Sequence, residues 1–209
     1  SPLICFSVKS NSNILLLKEI KKLGLGADVV SKGELFASLK AGINKKKIVF
    51  SGVGKTRAEI EYAIKQKILL INSESLSEVL TIEKVARKLN KVVNIGLRLN
   101  PDTDAQTLKQ ISTGKSENKF GVDKKTFVKI INLMKNSKFI KIKCLSVHIG
   151  SQILNHKPYD KMLNVLDKIL KNLNYKFEII DLGGGMGINY ENKGKKLNYL
   201  KYKKSIIKF

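Results

Sequence analysis

The chain has 209 residues, 43% of them hydrophobic and 27% charged, a globular balance with enough length for one domain and a sizeable core. No apolar run approaches the roughly 20 residues of a membrane span, and the two cysteines, Cys5 and Cys144, lie inside apolar strand-like runs, which reads as reduced core thiols rather than a disulfide. The net charge of +23 suggests nucleic acid, but 37 of the 40 basic residues are lysines spread along the whole chain and only Arg57, Arg87 and Arg98 are arginines, so a solvated lysine-rich surface is the expectation, with no nucleic-acid and no membrane partner.

In chain order, residues 3–9 form an apolar strand. Residues 11–23 follow as a helix, with Leu16, Ile20 and Leu23 on one face and Gly24 and Gly26 to stop it. A strand at 27–30 leads to Ser31, which opens a helix with Glu34 three residues on as its capping-box partner. The unit recurs as strand 47–51 and a helix from Thr56 with Glu59, then as strand 68–72 and a helix from Ser75 with Glu78. Strand 92–100 precedes a longer loop to Gly121 and a helix over 124–136. Strand 140–148, helix 158–173 and strand 177–182 complete seven strands, each but the last followed by a helix.

Near-continuous apolar strands are those of a parallel sheet buried on both faces. Short right-handed crossovers leave a doubly wound sheet or a (β/α)8 TIM-type barrel. Polar residues at every strand's C-terminal end favour the barrel, because its sites sit on that rim. Those ends read Lys9, Asp28 with Ser31, Ser51, Asn72, Arg98 with Asn100, His148 with Ser151, and Asp181 with Gly183. Seven units are one short of eight, so the expectation is an incomplete barrel.

Two motifs fail on inspection. Gly54-Lys55-Thr56 resembles the end of a phosphate-binding loop, but position 49 is Val where that loop needs Gly. Gly183-Gly184-Gly185-Met186-Gly187 follows a strand, but its spacing does not complete a dinucleotide fingerprint. No CxxC is present, and neither His148 nor His156 stands at a metal-ligand spacing, so no metal is expected.

What remains is a constellation. Lys9 ends an apolar run, where partial desolvation would free its amine for Schiff-base chemistry; a solvated lysine is the ordinary alternative. His148 could stack on a planar ring, or simply be a satisfied polar residue near a core. Three consecutive glycines let backbone N–H groups approach an anion, or make a tight turn. All three on one rim point to pyridoxal 5'-phosphate, an aldehyde, a ring and a phosphate in one molecule.

The local sequences carry a resemblance. Phe6-Ser7-Val8-Lys9-Ser10-Asn11, Gly26-Ala27-Asp28-Val29-Val30-Ser31-Lys32-Gly33-Glu34-Leu35 and Ile48-Val49-Phe50-Ser51-Gly52-Val53-Gly54-Lys55-Thr56 resemble the diaminopimelate decarboxylase family. So do Leu97-Arg98-Leu99-Asn100-Pro101, Ile111-Ser112-Thr113-Gly114 with Asn118-Lys119-Phe120-Gly121, His148-Ile149-Gly150-Ser151-Gln152 and Asp181-Leu182-Gly183-Gly184-Gly185. The Lys9, His148 and triple-glycine blocks are shared with the wider group of barrel-type decarboxylases for ornithine and arginine. The segments 51–56, 111–121 and 150–152 point to diaminopimelate within it.

The resemblance implies the alanine racemase-like barrel, with about seven of its βα units, and a cytoplasmic enzyme that is a homodimer when complete. It implies that Lys9 carries pyridoxal 5'-phosphate covalently and later acts as acid and base, and that His148 stacks on the ring. Gly183, Gly184 and Gly185, with Ser151, match the phosphate binders, while Asp28 and Arg98 match polar residues near the lysine–cofactor linkage. The implied reaction removes the D-centre carboxylate of meso-diaminopimelate as CO2 and leaves L-lysine, the last step of lysine biosynthesis. An ornithine- or arginine-type decarboxylase and a single-domain, non-catalytic carrier of the cofactor are the alternatives. Residues 189–209 offer no counterpart to the family's strand-8 Glu-Pro-Gly-Arg segment or its C-terminal β-domain, and the strand before its barrel has none either. The expectation is that residues 1–209 are an incomplete cofactor-binding barrel domain, a piece of the enzyme with little turnover of its own.

Overall fold

The computed structural model describes residues 2–103, 120–190 and 197–209. The strands are β1 (Cys5–Ser7), β2 (Gly26–Val29), β3 (Ile48–Phe50), β4 (Leu70–Ser73), β5 (Val93–Arg98), β6 (Ile140–Ser146) and β7 (Ile179–Asp181). They follow one another through a seven-stranded sheet in chain order. The pairings β1–β2, β2–β3, β3–β4, β4–β5 and β6–β7 are parallel. Between them run α1 (Ile14–Lys22), α2 (Lys32–Lys40), α3 (Arg57–Gln66), α4 (Leu76–Lys88), α5 (Lys124–Met134) and α6 (Lys157–Asn172), and α7 (Tyr199–Lys208) follows β7. This is the expected alternation of the barrel fold class. Every residue of β3 and β4 is buried, as strands covered on both faces require.

Helix starts follow the serine and threonine signals, with one refinement. At α3 the box is reciprocal: the Glu59 N–H donates to the Thr56 hydroxyl, and the Thr56 N–H donates to the Glu59 carboxylate. At α2 and α4 the Ser31 and Ser75 hydroxyls accept the N–H of Glu34 and Glu78 as expected. Each glutamate, however, accepts from one residue further back, Val30 at 3.0 Å and Glu74 at 2.8 Å. Only two residues separate strand from helix there (30–31 and 74–75), against six before α3 (51–56), so the residue before the cap is the donor left over.

The helix α7 departs from the sequence reading, which left 189–209 without an element. Its cap is Asn198, whose side chain accepts from the Lys201 N–H at 2.9 Å. Lysines at 201, 203, 204 and 208 dilute its apolar spacing, and it is held by a tertiary contact instead: buried Tyr202 lies 4.6 Å, ring to ring, from Tyr159.

The chain forms two compact units, Ser1–Leu97 with Leu133–Lys143, and Arg98–Asn132 with Cys144–Phe209. The first has a core of Leu17, Leu35, Ile48, Phe50, Ile60, Ile71 and Ile82, all fully enclosed. The second packs Phe127, Leu145, Val147, Tyr159, Met162 and Leu166, with the Phe127 and Phe177 rings 6.0 Å apart. Neither cysteine is in a disulfide; Cys5 is half-buried and Cys144 buried, and burial pushes the Cys144 thiol well above its ordinary range.

Candidate functional site

In the first unit the strand ends present Lys9 and Asp28. The strand β1 stops at Ser7, two residues earlier than expected, and Val8–Ser10 form a single 3-10 turn. That turn drives Val8 into the core and leaves Lys9 exposed, so the partial desolvation expected of the Lys9 amine is not supplied by the described residues.

Asp28, half-buried on β2, accepts a hydrogen bond from the Ser51 hydroxyl at 2.5 Å. The Asn72 side-chain amide donates to the same hydroxyl at 3.3 Å. A hydroxyl has one proton, and the Asn72 amide nitrogen can only donate, so the Ser51 O–H points at the Asp28 oxygen. The ends of β2, β3 and β4 thus form a directed relay that holds the Asp28 carboxylate as an acceptor.

Lys55, in the motif that failed as a phosphate loop, has a fully buried side chain. Its ammonium donates to the Gly52 carbonyl and to the Glu78 carboxylate, the latter at 2.7 Å, and lies over the Phe50 ring. The lysine is a clamp on the β3–α3 loop, a role the spacing of the motif did not signal.

The second unit brings together Arg98, His148 and the glycine run. Arg98 donates to the His148 carbonyl at 3.3 Å and rests over the Phe120 ring at 5.0 Å. The His148 Nδ1 accepts the Gly184 N–H at 3.2 Å, which places the proton of a neutral imidazole on Nε2.

Glycine is obligatory at two of the three positions for reasons internal to the protein. A Cβ on Gly183 (φ +67°) would lie 2.5 Å from the Val147 carbonyl oxygen and 2.8 Å from His148 Nδ1, and one on Gly185 (φ +84°) would collide with the Gly150 carbonyl. At Gly184 nothing lies within 4 Å of a Cβ. The loop is therefore pressed against 147–150 at its two ends and open in the middle.

Four consecutive peptide groups of this loop are pinned. The Gly183 N–H donates to Asp181 at 2.9 Å, and Asp181 also accepts from Ser146 at 3.1 Å. The Gly184 N–H goes to His148. The Gly184 carbonyl accepts from the Tyr159 hydroxyl at 3.0 Å, and the Gly185 carbonyl accepts from the Ile153 N–H at 2.9 Å. Among the described residues the N–H groups of Gly185 and Met186 meet no acceptor. Half-buried Ser151 follows Gly150, and its hydroxyl likewise has no partner among the described residues. Two adjacent backbone donors beside an open glycine, near a histidine and an arginine, suit an anion joined to a flat ring.

Of the expected residues, Lys9 and Asp28 belong to the first unit, and Arg98, His148, Ser151, Gly183, Gly184 and Gly185 to the second. The motif residues 111–114 and 118–119 lie outside the described residues. Met186 and Tyr159 have no role in the sequence reading: a backbone donor has no side-chain signature, and Tyr159 follows Pro158 at a helix start like any core residue.

Comparison with known proteins identifies the relatives. The family "Pyridoxal-dependent decarboxylase, pyridoxal binding domain" matches residues 2–209. Diaminopimelate decarboxylase of Helicobacter pylori strain J99 is 45% identical over 194 residues, covering 91% of this chain and 48% of that protein. The Campylobacter jejuni enzyme of the same name is 43% identical over 191 residues, 90% of this chain and 48% of its own length. The crystal structure of Helicobacter pylori diaminopimelate decarboxylase complexed with L-lysine superposes with a TM-score of 0.94 at 42% identity, covering 99% of this chain and 53% of that one. The chain thus spans about half the length of the curated relatives it matches. It belongs to the family of pyridoxal-dependent decarboxylases, matched over the pyridoxal-binding domain.

Proposed function

We propose that the chain binds pyridoxal 5'-phosphate as part of an enzyme that decarboxylates meso-2,6-diaminopimelate to L-lysine and CO2. The observation that carries the reading is the 183–186 loop, where two adjacent backbone N–H groups without acceptors among the described residues stand beside the histidine that the loop itself orients. Relatives named diaminopimelate decarboxylase support the substrate.

The residues present fit the cofactor. Gly185 and Met186 would donate backbone N–H groups to its phosphate, with the Ser151 hydroxyl as a further donor. His148, fixed through Nδ1, would present its face or its Nε2 proton to the ring. When bound, the cofactor supplies a conjugated, electron-withdrawing ring that accepts the electron pair left at carbon by the departing carboxylate.

Lys9 would supply the amine that holds the cofactor's aldehyde, and its exposure leaves that amine open to a bulky partner. Lys9 Nζ would also deliver the proton that replaces the departing carboxylate at its carbon, and its amine would then take back the cofactor's aldehyde carbon as L-lysine is released. Asp28, held as an acceptor by Ser51, would provide the negative charge that keeps a nearby cation in place. The same reading carries a cytoplasmic homodimer; among the described residues no helix is long and apolar enough to cross a membrane.

The test is covalent. Protein incubated with pyridoxal 5'-phosphate, reduced with borohydride and mapped by peptide should carry the tag on Lys9, and Lys9→Ala should lose it. A tag scattered over the other lysines overturns the assignment. Product analysis of the enzyme of which the chain is part separates the substrates: L-lysine from diaminopimelate is expected, whereas putrescine from ornithine or agmatine from arginine replaces the proposed substrate.

A further inference from the structure

The four pinned peptides of the glycine loop are not pinned alike. In the 182–183 and 183–184 groups the N–H is consumed within the protein, by Asp181 and His148. In the 184–185 group the protein takes the carbonyl instead, through the Tyr159 hydroxyl at 3.0 Å. A trans peptide is planar, so its N–H points opposite to its C=O. Holding the Gly184 oxygen therefore fixes the direction of the Gly185 N–H, one of the two donors left over. Gly185 sits at φ +84° and Gly183 at +67°, conformations that the loop's own preferences do not dictate uniquely because glycine visits both signs of φ.

Tyr159 is built to do this reliably. Its side chain is fully enclosed, and its ring packs 4.6 Å from Tyr202, which α7 contributes. The same two helices are joined by the Ser205 hydroxyl donating to Asp160 at 2.5 Å. Burial, with the neighbouring Tyr202 and Tyr199 phenols, pushes the Tyr159 phenol above its ordinary range, so it remains a neutral donor.

We infer that Tyr159 is a positioning residue for the cofactor's phosphate: by anchoring the Gly184 carbonyl it aims the Gly185 N–H at the anion. The inference rests on the proposed cofactor reading and deepens it. Tyr159 acts through the Gly184 carbonyl rather than on the phosphate, and α7 is its brace.

The test uses the intact chain and two probes that cannot react with its surface lysines, pyridoxamine 5'-phosphate and pyridoxamine, titrated by calorimetry into wild type and Tyr159→Phe. The phenylalanine keeps the ring and removes only the donor. The expected result is a loss of affinity for the phosphorylated probe of about tenfold, the scale of one hydrogen bond, with affinity for pyridoxamine unchanged. The Gly185 amide proton resonance should also lose its response to inorganic phosphate. Equal weakening of both probes shows general damage to the fold and overturns the positioning role, as does an unchanged preference for the phosphorylated probe. If wild type does not prefer the phosphorylated probe at all, the cofactor reading itself fails. Tyr202→Phe, which leaves the Tyr159 donor in place, should behave as wild type.

Discussion

In the first unit the strand ends are tied together by side chains: Asn72 to Ser51 to Asp28, and Lys55 to Glu78. In the second, besides the Ser146–Asp181 bond between two strand ends, what is held is backbone: glycine peptides bonded by His148, Asp181, Tyr159 and Ile153. The difference follows from what each has to present. An acceptor side chain such as Asp28 needs a fixed geometry, which neighbouring hydroxyl and amide groups provide. An anion is met best by bare N–H groups, and these come within reach only where Cβ atoms are missing.

If this division is right, the two units should break differently. The largest effect is expected in the first, at Lys55. Its side chain is wholly enclosed, so Lys55→Met leaves the Glu78 carboxylate without its cation and should lower stability by about 3–5 kcal/mol in denaturant titration. The paired variant Lys55→Met/Glu78→Leu should recover much of that loss, since what is costly is an uncompensated buried charge. In the second unit the break should depend on which glycine is changed. Gly185→Ala meets the Gly150 carbonyl and a left-handed φ of +84°, and should cost about 2–5 kcal/mol from strain and overpacking together. Gly184→Ala meets nothing within 4 Å and should be nearly neutral to folding, while a methyl at the open centre of the loop should still weaken cofactor binding. Equal destabilisation by the two alanines would contradict the backbone account.

The same division explains what was legible in the sequence. Side-chain chemistry leaves a mark: the caps at Ser31, Thr56 and Ser75, the polar strand ends and the seven apolar strand runs all appear as residue types at fixed offsets. Strand β1 ran short because an apolar run continues through Val8 whether the backbone stays extended or turns, and only the turn separates buried Val8 from exposed Lys9. Lys55 was visible only within a string that fails as a phosphate loop, and nothing in its spacing marks a buried clamp. The glycine run was legible as a close approach but not as the division of labour within it, since Gly184 and Gly185 are the same letter and differ only in which peptide atom the protein consumes. Helix α7 was missed for a related reason: its anchor is the contact of Tyr202 with Tyr159, distant in sequence.

The smallest expected effects come from two capping carboxylates, one in each unit, and they sharpen the comparison. Glu59 is held below the usual carboxylate range, first by the Thr56 N–H and next by the Lys32 N–H, so it ties the start of α3 to the start of α2. Asp123 is held below its range first by the Thr126 hydroxyl and then by the Thr126 N–H, all at the start of α5. A folded-state pKa below the unfolded one means the unfolded chain takes up the proton more readily. Each contribution is therefore present in full above the unfolded value, 4.5 for Glu59 and 3.8 for Asp123, and is lost as pH falls through the lowered folded value. Both groups face solvent, so the effect should stay below about 1 kcal/mol, the scale of a single cap. Hydrogen exchange tells them apart where melting cannot. Glu59→Gln at neutral pH should speed exchange at the starts of both α2 and α3, because a side chain spans them, whereas Asp123→Asn should do so at α5 alone. Exchange confined to α3 in the first variant would mean that the Lys32 contact does not couple the two helices.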